Sequence, residues 1–155
     1  MSSSDPATQQ IITLARSWLG TPYQHQASLK GVGCDCLGLV RGVYAEICGR
    51  PAETPPPYSR DWAEAARRET MIEAAERHLI RIPIDDAQPG DVLIFRLRPG
   101  AMAKHAAIMT EPAKMIHAME GAPVCEVSIT PWWRRRIAAV FRFPNDVHQI
   151  GSRMD

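Results

Sequence analysis

The sequence predicts an α+β protein whose helices come first and whose antiparallel sheet follows. Apolar residues recur at helical spacing within residues 6–19 and 35–49, and residues 61–78 are rich in the helix formers Ala, Glu and Arg. From residue 79 onward, short β-like runs replace the helical pattern. Because α/β folds alternate helices and strands along the chain, this segregation favours the α+β class.

Recognisable end signals bound the predicted helices. Asp5 is suited to the N-cap of the first helix and Pro6 to its first position. The second helix is expected to begin around Asp35 and to end at Gly49. Residues 51–57 are proline-rich and predict a stiff connector before the third helical stretch.

Six β-like runs follow, at residues 79–84, 92–97, 105–110, 115–119, 124–129 and 137–143. The Gln-Pro-Gly-Asp sequence at residues 88–91 is a turn signal before the second run, and Asp91 is expected to order that turn. Residues 1–144 are interpreted as a single domain and residues 145–155 as a flexible C-terminal tail.

Composition and charge exclude several classes of partner. The chain has 155 residues, of which 45% are hydrophobic and 23% are charged, and these values are ordinary for one soluble domain. A net charge of +1 predicts no nucleic-acid partner. No apolar run is long enough for membrane insertion. The first ten residues lack a signal-peptide pattern, so synthesis in the cytoplasm is expected.

A cysteine in the first turn of the second helix is the candidate nucleophile. Cys36 follows a glycine-rich approach that contains Gly31 and Gly33. A helix N-terminus has a partial positive charge and unpaired N–H groups, which can lower the pKa of a thiol and bind an oxyanion during acyl transfer. Gly38 leaves room for a substrate or a strand to approach the start of this helix.

Two histidines on one predicted hairpin are the candidate partners of Cys36. His105 opens one strand and His117 lies within the next, so both imidazoles can face the same side of the hairpin. One ring can then orient the other, as the third member of a catalytic triad does. His105 is therefore predicted as the general base and His117 as its orienter, while His25 is expected to line the cleft.

The spacing of Cys34 and Cys36 raises two other possible roles, a redox pair and a zinc site. Cys34 is interpreted as a small buried hydrophobe, with a redox partnership with Cys36 as the alternative. A structural zinc site would need four ligands and paired cysteines about two to four residues apart. Cys34 and Cys36 are separated by one residue, and no second pair follows at a matching spacing. No metal and no organic cofactor are therefore predicted.

Four blocks of sequence together resemble one family. Residues 33–40 (GCDCLGLV) resemble the nucleophile motif of the NlpC/p60 family of papain-like cell-wall cysteine peptidases, whose usual form is Asp-Cys-Ser-Gly-Leu-Val. Residues 89–95 (PGDVLIF), 104–108 (KHAAI) and 115–118 (MIHA) resemble the family's three following strand motifs, in the same order. The resemblance extends over roughly residues 10–143.

The resemblance implies a fold, a reaction and a set of site residues. The fold would be papain-like, with the nucleophile helix packed on the antiparallel sheet. The reaction would be hydrolysis of peptidoglycan stem peptides, typically between D-glutamate and a diamino acid, without a cofactor. Cys36 would attack, His105 would activate it and His117 would orient His105. Tyr23 would lie near the oxyanion hole, and Asp35 would help to hold the free amino end of the substrate.

Two departures from the family pattern concern substrate choice. Leu37 stands where the family usually has a serine, and residues 24–27 (QHQA) replace the usual glycine pair. Residues 33–40 and the WWRRR sequence at residues 132–136 are most similar to a phage-tail branch that includes prophage and gene-transfer-agent peptidases. This similarity implies tail or tail-hub partners, and delivery of the enzyme to the cell wall and periplasm in a phage-like particle.

Two alternatives from other functional classes stay open. The first is a structural tail protein that carries a vestigial site. The second is a thiol acyltransferase or amidase on the same fold. Trp132 and Trp133 are interpreted as the aromatic edge of a strand, although together with the arginines that follow they could instead grip glycan or an acidic partner.

Overall fold

The computed structural model describes residues 5–53 and 69–144 of the chain. The predicted connector at residues 51–57 and the predicted helix at residues 61–78 lie partly outside the described residues, and the predicted tail lies entirely outside them. Within the described ranges, no helix combines the length and the apolar character that crossing a bilayer requires.

Four α-helices are present in the described ranges, namely α1 (Pro6–Arg16), α2 (Cys36–Cys48), α3 (Thr70–His78) and α4 (Pro131–Arg134). The carboxylate of Asp5 caps α1 by accepting a hydrogen bond from the N–H of Thr8. Helix α2 ends at Gly49, whose φ of 72° is left-handed and therefore suits glycine. The predicted start of α1 and both predicted ends of α2 thus agree with local backbone chemistry. The helical pattern of residues 6–19 extends beyond α1, which ends at Arg16.

The strands form two antiparallel sheets, built from β1 (Ser28–Leu29), β2 (Gly33–Cys34), β3 (Ile80–Ile82), β4 (Val92–Phe95), β5 (His105–Glu111), β6 (Lys114–His117), β7 (Cys125–Ser128) and β8 (Ile137–Arg142). The first two strands pair with each other. The others form a six-stranded sheet in the order β3-β8-β4-β5-β6-β7, in which every pairing is antiparallel. Each of the six predicted β-like runs overlaps one of these six strands, and the predicted antiparallel sheet is confirmed.

The large sheet is buried on both faces. One face packs against α1 and α2 through alternate residues such as Ile94, Ala106 and Ile108. The opposite face carries the intervening residues, including Phe95 and Ala107, in a second apolar cluster. Because side chains alternate between faces along a strand, successive residues of β5 pack into two different apolar clusters, one on each face of the sheet.

The segment after β7 differs from its prediction. Trp132 and Trp133 were expected at the edge of a strand, but they lie in the short helix α4. Pro131 occupies the first position of this helix, where its fixed φ and missing N–H are tolerated, and Thr130 precedes it as N-cap. The helix turns the two indoles in different directions, which has consequences for the site described next.

Candidate active site

Asp35 builds the start of α2. Its Oδ1 accepts the N–H of Gly38 at 2.7 Å, and its Oδ2 accepts the N–H of Gln26 at 2.7 Å. Only 4% of the residue is exposed. Gln26 has a φ of 66°, a strained conformation for a residue with a side chain, at the place where the family resemblance expects glycine. The buried carboxylate thus ties this strained loop to the helix, and its predicted contact with a substrate amine stays a prediction.

Gly38 lets the loop approach the helix directly. A Cβ atom at this position would lie 1.8 Å from the carbonyl oxygen of Ala27. Ser28 completes the contact by donating its hydroxyl to the carbonyl of Gly38 at 2.7 Å. The sequence predicted a close approach at Gly38, and the approaching group is the chain itself.

Cys36 is the first residue of α2, and its thiol lies against the start of β5. The S–H donates to the carbonyl of Lys104 at 3.7 Å, and the sulfur accepts the backbone N–H of Ala106. Burial, followed by the negative charge of Asp35, raises the pKa of Cys36 to about 12. The sequence argument expected a lowered thiol pKa from the helix N-terminus, but burial and the neighbouring carboxylate outweigh it here. The candidate nucleophile therefore rests as a neutral thiol at neutral pH.

A separate set of contacts holds the loop that carries the Lys104 carbonyl. Glu69, immediately before α3, accepts the N–H of Ala103 at 3.0 Å through its Oε1. Its Oε2 accepts from Arg96, which also donates to the carbonyl of Ala101. These hydrogen bonds hold residues 101–103, which lead into β5, in place. They thereby help to fix the position of the Lys104 carbonyl that the Cys36 thiol contacts.

His105 and His117 meet as the sequence predicted. The register of β5 and β6 pairs Ile108 with Ile116, which places His117 opposite Ala107 and on the same face as His105. The Nε2 atom of His105 lies 2.9 Å from the Nδ1 atom of His117. The two residues are only 5% and 4% exposed. Burial and then the proximity of His117 lower the pKa of His105 to about 3, and burial lowers the pKa of His117.

This geometry assigns a direction to proton transfer. When Nε2 of His105 donates to Nδ1 of His117, the Nδ1 atom of His105 is left unprotonated and able to accept a proton. The thiol lies against the backbone on either side of His105, at the carbonyl of Lys104 and the N–H of Ala106. A neutral thiol can pass its proton to a neutral imidazole as the sulfur attacks, without a preformed ion pair. His117 then stabilises the resulting imidazolium through the same hydrogen bond.

Two aromatic rings enclose the histidine pair. The indole of Trp133 stacks on the ring of His105, with centroids 5.5 Å apart, and meets His117 edge-on at 5.4 Å. Phe95 lies 5.8 Å from His105 and 4.9 Å from Trp133. The sequence argument missed both contacts. The Thr130–Pro131 helix-start signal could have placed Trp133 on a helix, but no local pattern predicts which ring it covers.

The remaining candidate residues lie around this centre. Tyr23 is half-buried, packs against the core and forms a backbone bridge with Cys34 beside α2. His25 is partly exposed, with its Nδ1 3.9 Å from Oδ2 of Asp35. Cys34 is fully buried in the core, and burial followed by the charge of Asp35 raises its pKa to about 11. Its position agrees with the interpretation as a buried hydrophobe.

Asp91 has a structural position away from this centre. It is 1% exposed, accepts the N–H of Gln88 and pairs with Arg142 through two hydrogen bonds of 2.9 and 3.0 Å. The carboxylate thus orders the turn before β4, as predicted. Among the described residues, no group of three or more His, Cys, Asp or Glu side chains is arranged to hold a metal ion.

A pocket of about 360 Å³, with a mainly apolar surface, opens between α2 and α3. Leu37, which follows Cys36, and Ala106, which follows His105, are both part of its wall. The other described wall residues include apolar side chains, such as those of Val40, Met71 and Ile94. They also include charged side chains, such as those of Arg41 and Glu73. Leu37 therefore contributes an apolar surface where the family resemblance expects a hydroxyl.

The buried histidines predict a loss of stability in acid. An unfolded histidine has a pKa of about 6.5, whereas the pKa of folded His105 is about 3. Below pH 6.5 His105 is protonated in the unfolded chain but stays neutral in the folded protein. Protonation of His105 in the unfolded state therefore lowers the free energy of unfolding by about 2 kcal/mol between pH 6.5 and 4.5. Urea unfolding at both pH values should show a smaller drop for His105→Gln than for the wild type. Equal drops would contradict a neutral, buried His105.

Comparison with known proteins places the chain in a family. The profile of the NlpC/P60 family matches residues 20–142. The gamma-DL-glutamyl hydrolase of Bacillus subtilis (strain 168) is 24% identical over 146 residues, which are 92% of this chain and 32% of that protein. The chain thus spans about a third of the length of this curated relative.

Solved structures share the fold. The NlpC/p60 domain of the peptidoglycan hydrolase SagA superposes with a TM-score of 0.63 at 23% identity, covering 88% of this chain and 98% of that domain. The peptidoglycan hydrolase RipB of Mycobacterium tuberculosis gives a TM-score of 0.59 at 21% identity, covering 92% of this chain and 67% of RipB. The predicted papain-like α+β fold is thereby confirmed. With the family profile matching residues 20–142, the chain belongs to the NlpC/P60 family.

Proposed function

We propose that the protein is a cysteine endopeptidase that hydrolyses peptidoglycan stem peptides at the bond between D-glutamate and the diamino acid. The observation that carries the proposal is the position of the Cys36 thiol against the strand of His105, whose ring is hydrogen-bonded to His117. The names of the relatives point the same way, since they are a gamma-DL-glutamyl hydrolase and peptidoglycan hydrolases.

The proposed reaction has two stages. The sulfur of Cys36 attacks the amide carbonyl while His105 takes the thiol proton, and N–H groups near Cys36 together with the Tyr23 hydroxyl hold the oxyanion. The His105 imidazolium then protonates the leaving amine, and a thioester remains on Cys36. A water molecule, deprotonated by His105, hydrolyses this thioester and restores the thiol. Asp35 is proposed to contribute to binding of the substrate amine in addition to capping α2.

The proposal is tested by mass spectrometry of defined stem peptides incubated with wild-type protein and with Cys36→Ala. Cleavage between D-glutamate and the diamino acid by the wild type alone is the expected result. Cleavage at another amide would preserve the chemistry and replace the substrate. An inactive, freshly reduced wild type whose Cys36 also resists alkylation would favour a structural protein with a vestigial site.

The apolar pocket beside Leu37 favours a second candidate, a thiol acyltransferase or amidase whose donor carries an apolar acyl chain. Such a chain could occupy the 360 Å³ pocket, whose wall includes Leu37, the residue after Cys36. Incubation with a long-chain acyl thioester followed by intact-mass measurement tests this candidate. A stable acyl adduct on Cys36, combined with intact stem peptides, would support it over the peptidase.

We also propose that the enzyme acts at the cell wall as part of a phage-like particle, bound to tail or tail-hub proteins. The similarity of residues 33–40 and 132–136 to phage-tail peptidases supports this proposal. Immunodetection in purified particles from the producing cells tests it, since absence from intact tails would rule out a tail component.

A further inference from the structure

The side chain of Trp133 contacts both members of the histidine pair. Its ring lies nearly parallel to that of His105, at 30°, and nearly perpendicular to that of His117, at 81°. The ring of Phe95 also contacts His105, with centroids 5.8 Å apart. Trp133 therefore contacts both partners of the 2.9 Å hydrogen bond between His105 Nε2 and His117 Nδ1.

The position of this indole is set by contacts that anchor α4 on two sides. Arg134 donates to the carbonyl of Pro112 in the β5–β6 turn at 2.7 Å. Arg136 donates to the carbonyl of Leu97, beyond β4, at 3.3 Å, and to the carbonyl of Trp132 at 2.8 Å. The helix is thus tied to both ends of the strand pair that carries His105, so the indole has a fixed place beside that ring.

We propose that Trp133 is a positioning residue, which holds the ring of His105 in line with His117 and excludes water from their hydrogen bond. His105 then stays neutral until Cys36 gives up its proton. This role lies beyond the proposed peptidase activity, and only the kinetic part of its test depends on that activity.

The surroundings of His105 explain why one indole has this effect. Among the described residues, His117 from β6 is the titratable side chain that acts electrostatically on His105. Strand β4 contributes the apolar ring of Phe95 and α4 contributes Trp133. The Cys36 thiol of α2 contacts the backbone carbonyl of Lys104, the residue before His105. Burial is the larger cause of the lowered His105 pKa. Removing the indole would admit water, and water stabilises the imidazolium form.

Trp132 provides a matched control in the same helix. It is 44% exposed, meets Trp133 edge-on and stacks against the guanidinium of Arg136, and it has no described ring contact with either histidine. A Trp132→Ala variant removes the same side chain from the next position. Any general effect of losing an indole from α4 should therefore be seen in both variants, whereas an effect on the histidines should be confined to Trp133.

The test measures the pKa of His105 by NMR titration of the imidazole signals in the wild type, Trp133→Ala, Trp133→Phe and Trp132→Ala. We expect Trp133→Ala to raise this pKa by about one unit or more, and Trp133→Phe to restore most of the wild-type value. With a cleaved substrate, kcat of Trp133→Ala should fall about 10- to 100-fold at nearly constant KM. The acidic limb of its pH profile should move to higher pH. Trp132→Ala should match the wild type in each measurement.

An unchanged His105 titration in a folded Trp133→Ala variant would overturn the proposal, and so would an equal shift in Trp132→Ala. If Trp133→Ala does not fold, Trp133→Leu takes its place, because leucine is smaller than the indole and leaves part of the His105 ring uncovered. A rise in the pKa of His105 that is smaller than the one expected for alanine is then predicted, and an unchanged pKa would overturn the proposal. If the wild type cleaves no stem peptide, the proposed function fails, while the titration still judges the role of Trp133.

Discussion

Replacing Cys36 by alanine is expected to lower kcat/KM for a stem peptide by at least about 10⁴-fold, because the covalent route through the thioester disappears. Removal of the sulfur leaves the carbonyl of Lys104 and the N–H of Ala106 without a shared partner but leaves α2 intact. Folding should therefore be preserved. Steady-state cleavage followed by chromatography measures the loss, and circular dichroism confirms the fold.

Cys34 supplies the matched control for this prediction. It lies two residues earlier, fully buried in the core, and burial followed by the charge of Asp35 keeps its thiol neutral. Cys34→Ala should keep kcat/KM within a few-fold of the wild type and lose about 1 kcal/mol of stability through the small cavity that it leaves. A comparable collapse of activity in both variants would contradict the assignment of Cys36 as sole nucleophile, and would revive a redox partnership between the two thiols.

Replacing Gly38 by alanine is expected to destabilise the protein by about 3 kcal/mol or more. The new Cβ would lie 1.8 Å from the carbonyl oxygen of Ala27 and 3.1 Å from Oδ1 of Asp35. Neither the backbone carbonyl nor the capping carboxylate can move without breaking the contact between the loop and α2. Urea unfolding at neutral pH measures the change, and activity should fall with it because the same loop borders Cys36.

A Gly31→Ala variant is the control that distinguishes this steric clash from the strain of a left-handed backbone conformation. Gly31 has a φ of 78°, but a Cβ atom there would meet no atom within 4 Å. Gly31→Ala should therefore cost only about 1 kcal/mol, the penalty for a left-handed residue with a side chain. Equal costs for the two alanine variants would mean that crowding by Ala27 is not the reason for glycine at position 38.

Local patterns were sufficient for much of the fold and for the centre of the site. The N-cap at Asp35 and the terminal Gly49 bound α2, because capping depends on hydrogen bonds within a few residues. The pairing of His105 with His117 followed from the alternation of side chains in a hairpin, because an even register offset keeps both residues on one face. Four motifs in order indicated the family, and residues 20–142 match its profile.

Other features depended on groups that come from distant parts of the chain. The sequence located Trp133 on a strand edge, whereas α4 stacks it on His105. The sequence also favoured a thiolate at Cys36, since the helix N-terminus is a local property. The opposing influences, burial against residues 104–106 and the inward-facing charge of Asp35, exist only after α2 has packed on the sheet.

By itself, the sequence determined the order of helices and strands, the end signals of α2, the family, and the identities of Cys36, His105 and His117 as one candidate centre. These depend on hydrogen bonding and periodicity over short stretches of chain. Only the tertiary structure decided the protonation of that centre, the ring that covers it and the apolar pocket beside it. Desolvation and ring stacking are set by what surrounds a side chain in three dimensions, and residues as far apart as Cys36, Lys104 and Trp133 become neighbours only on folding.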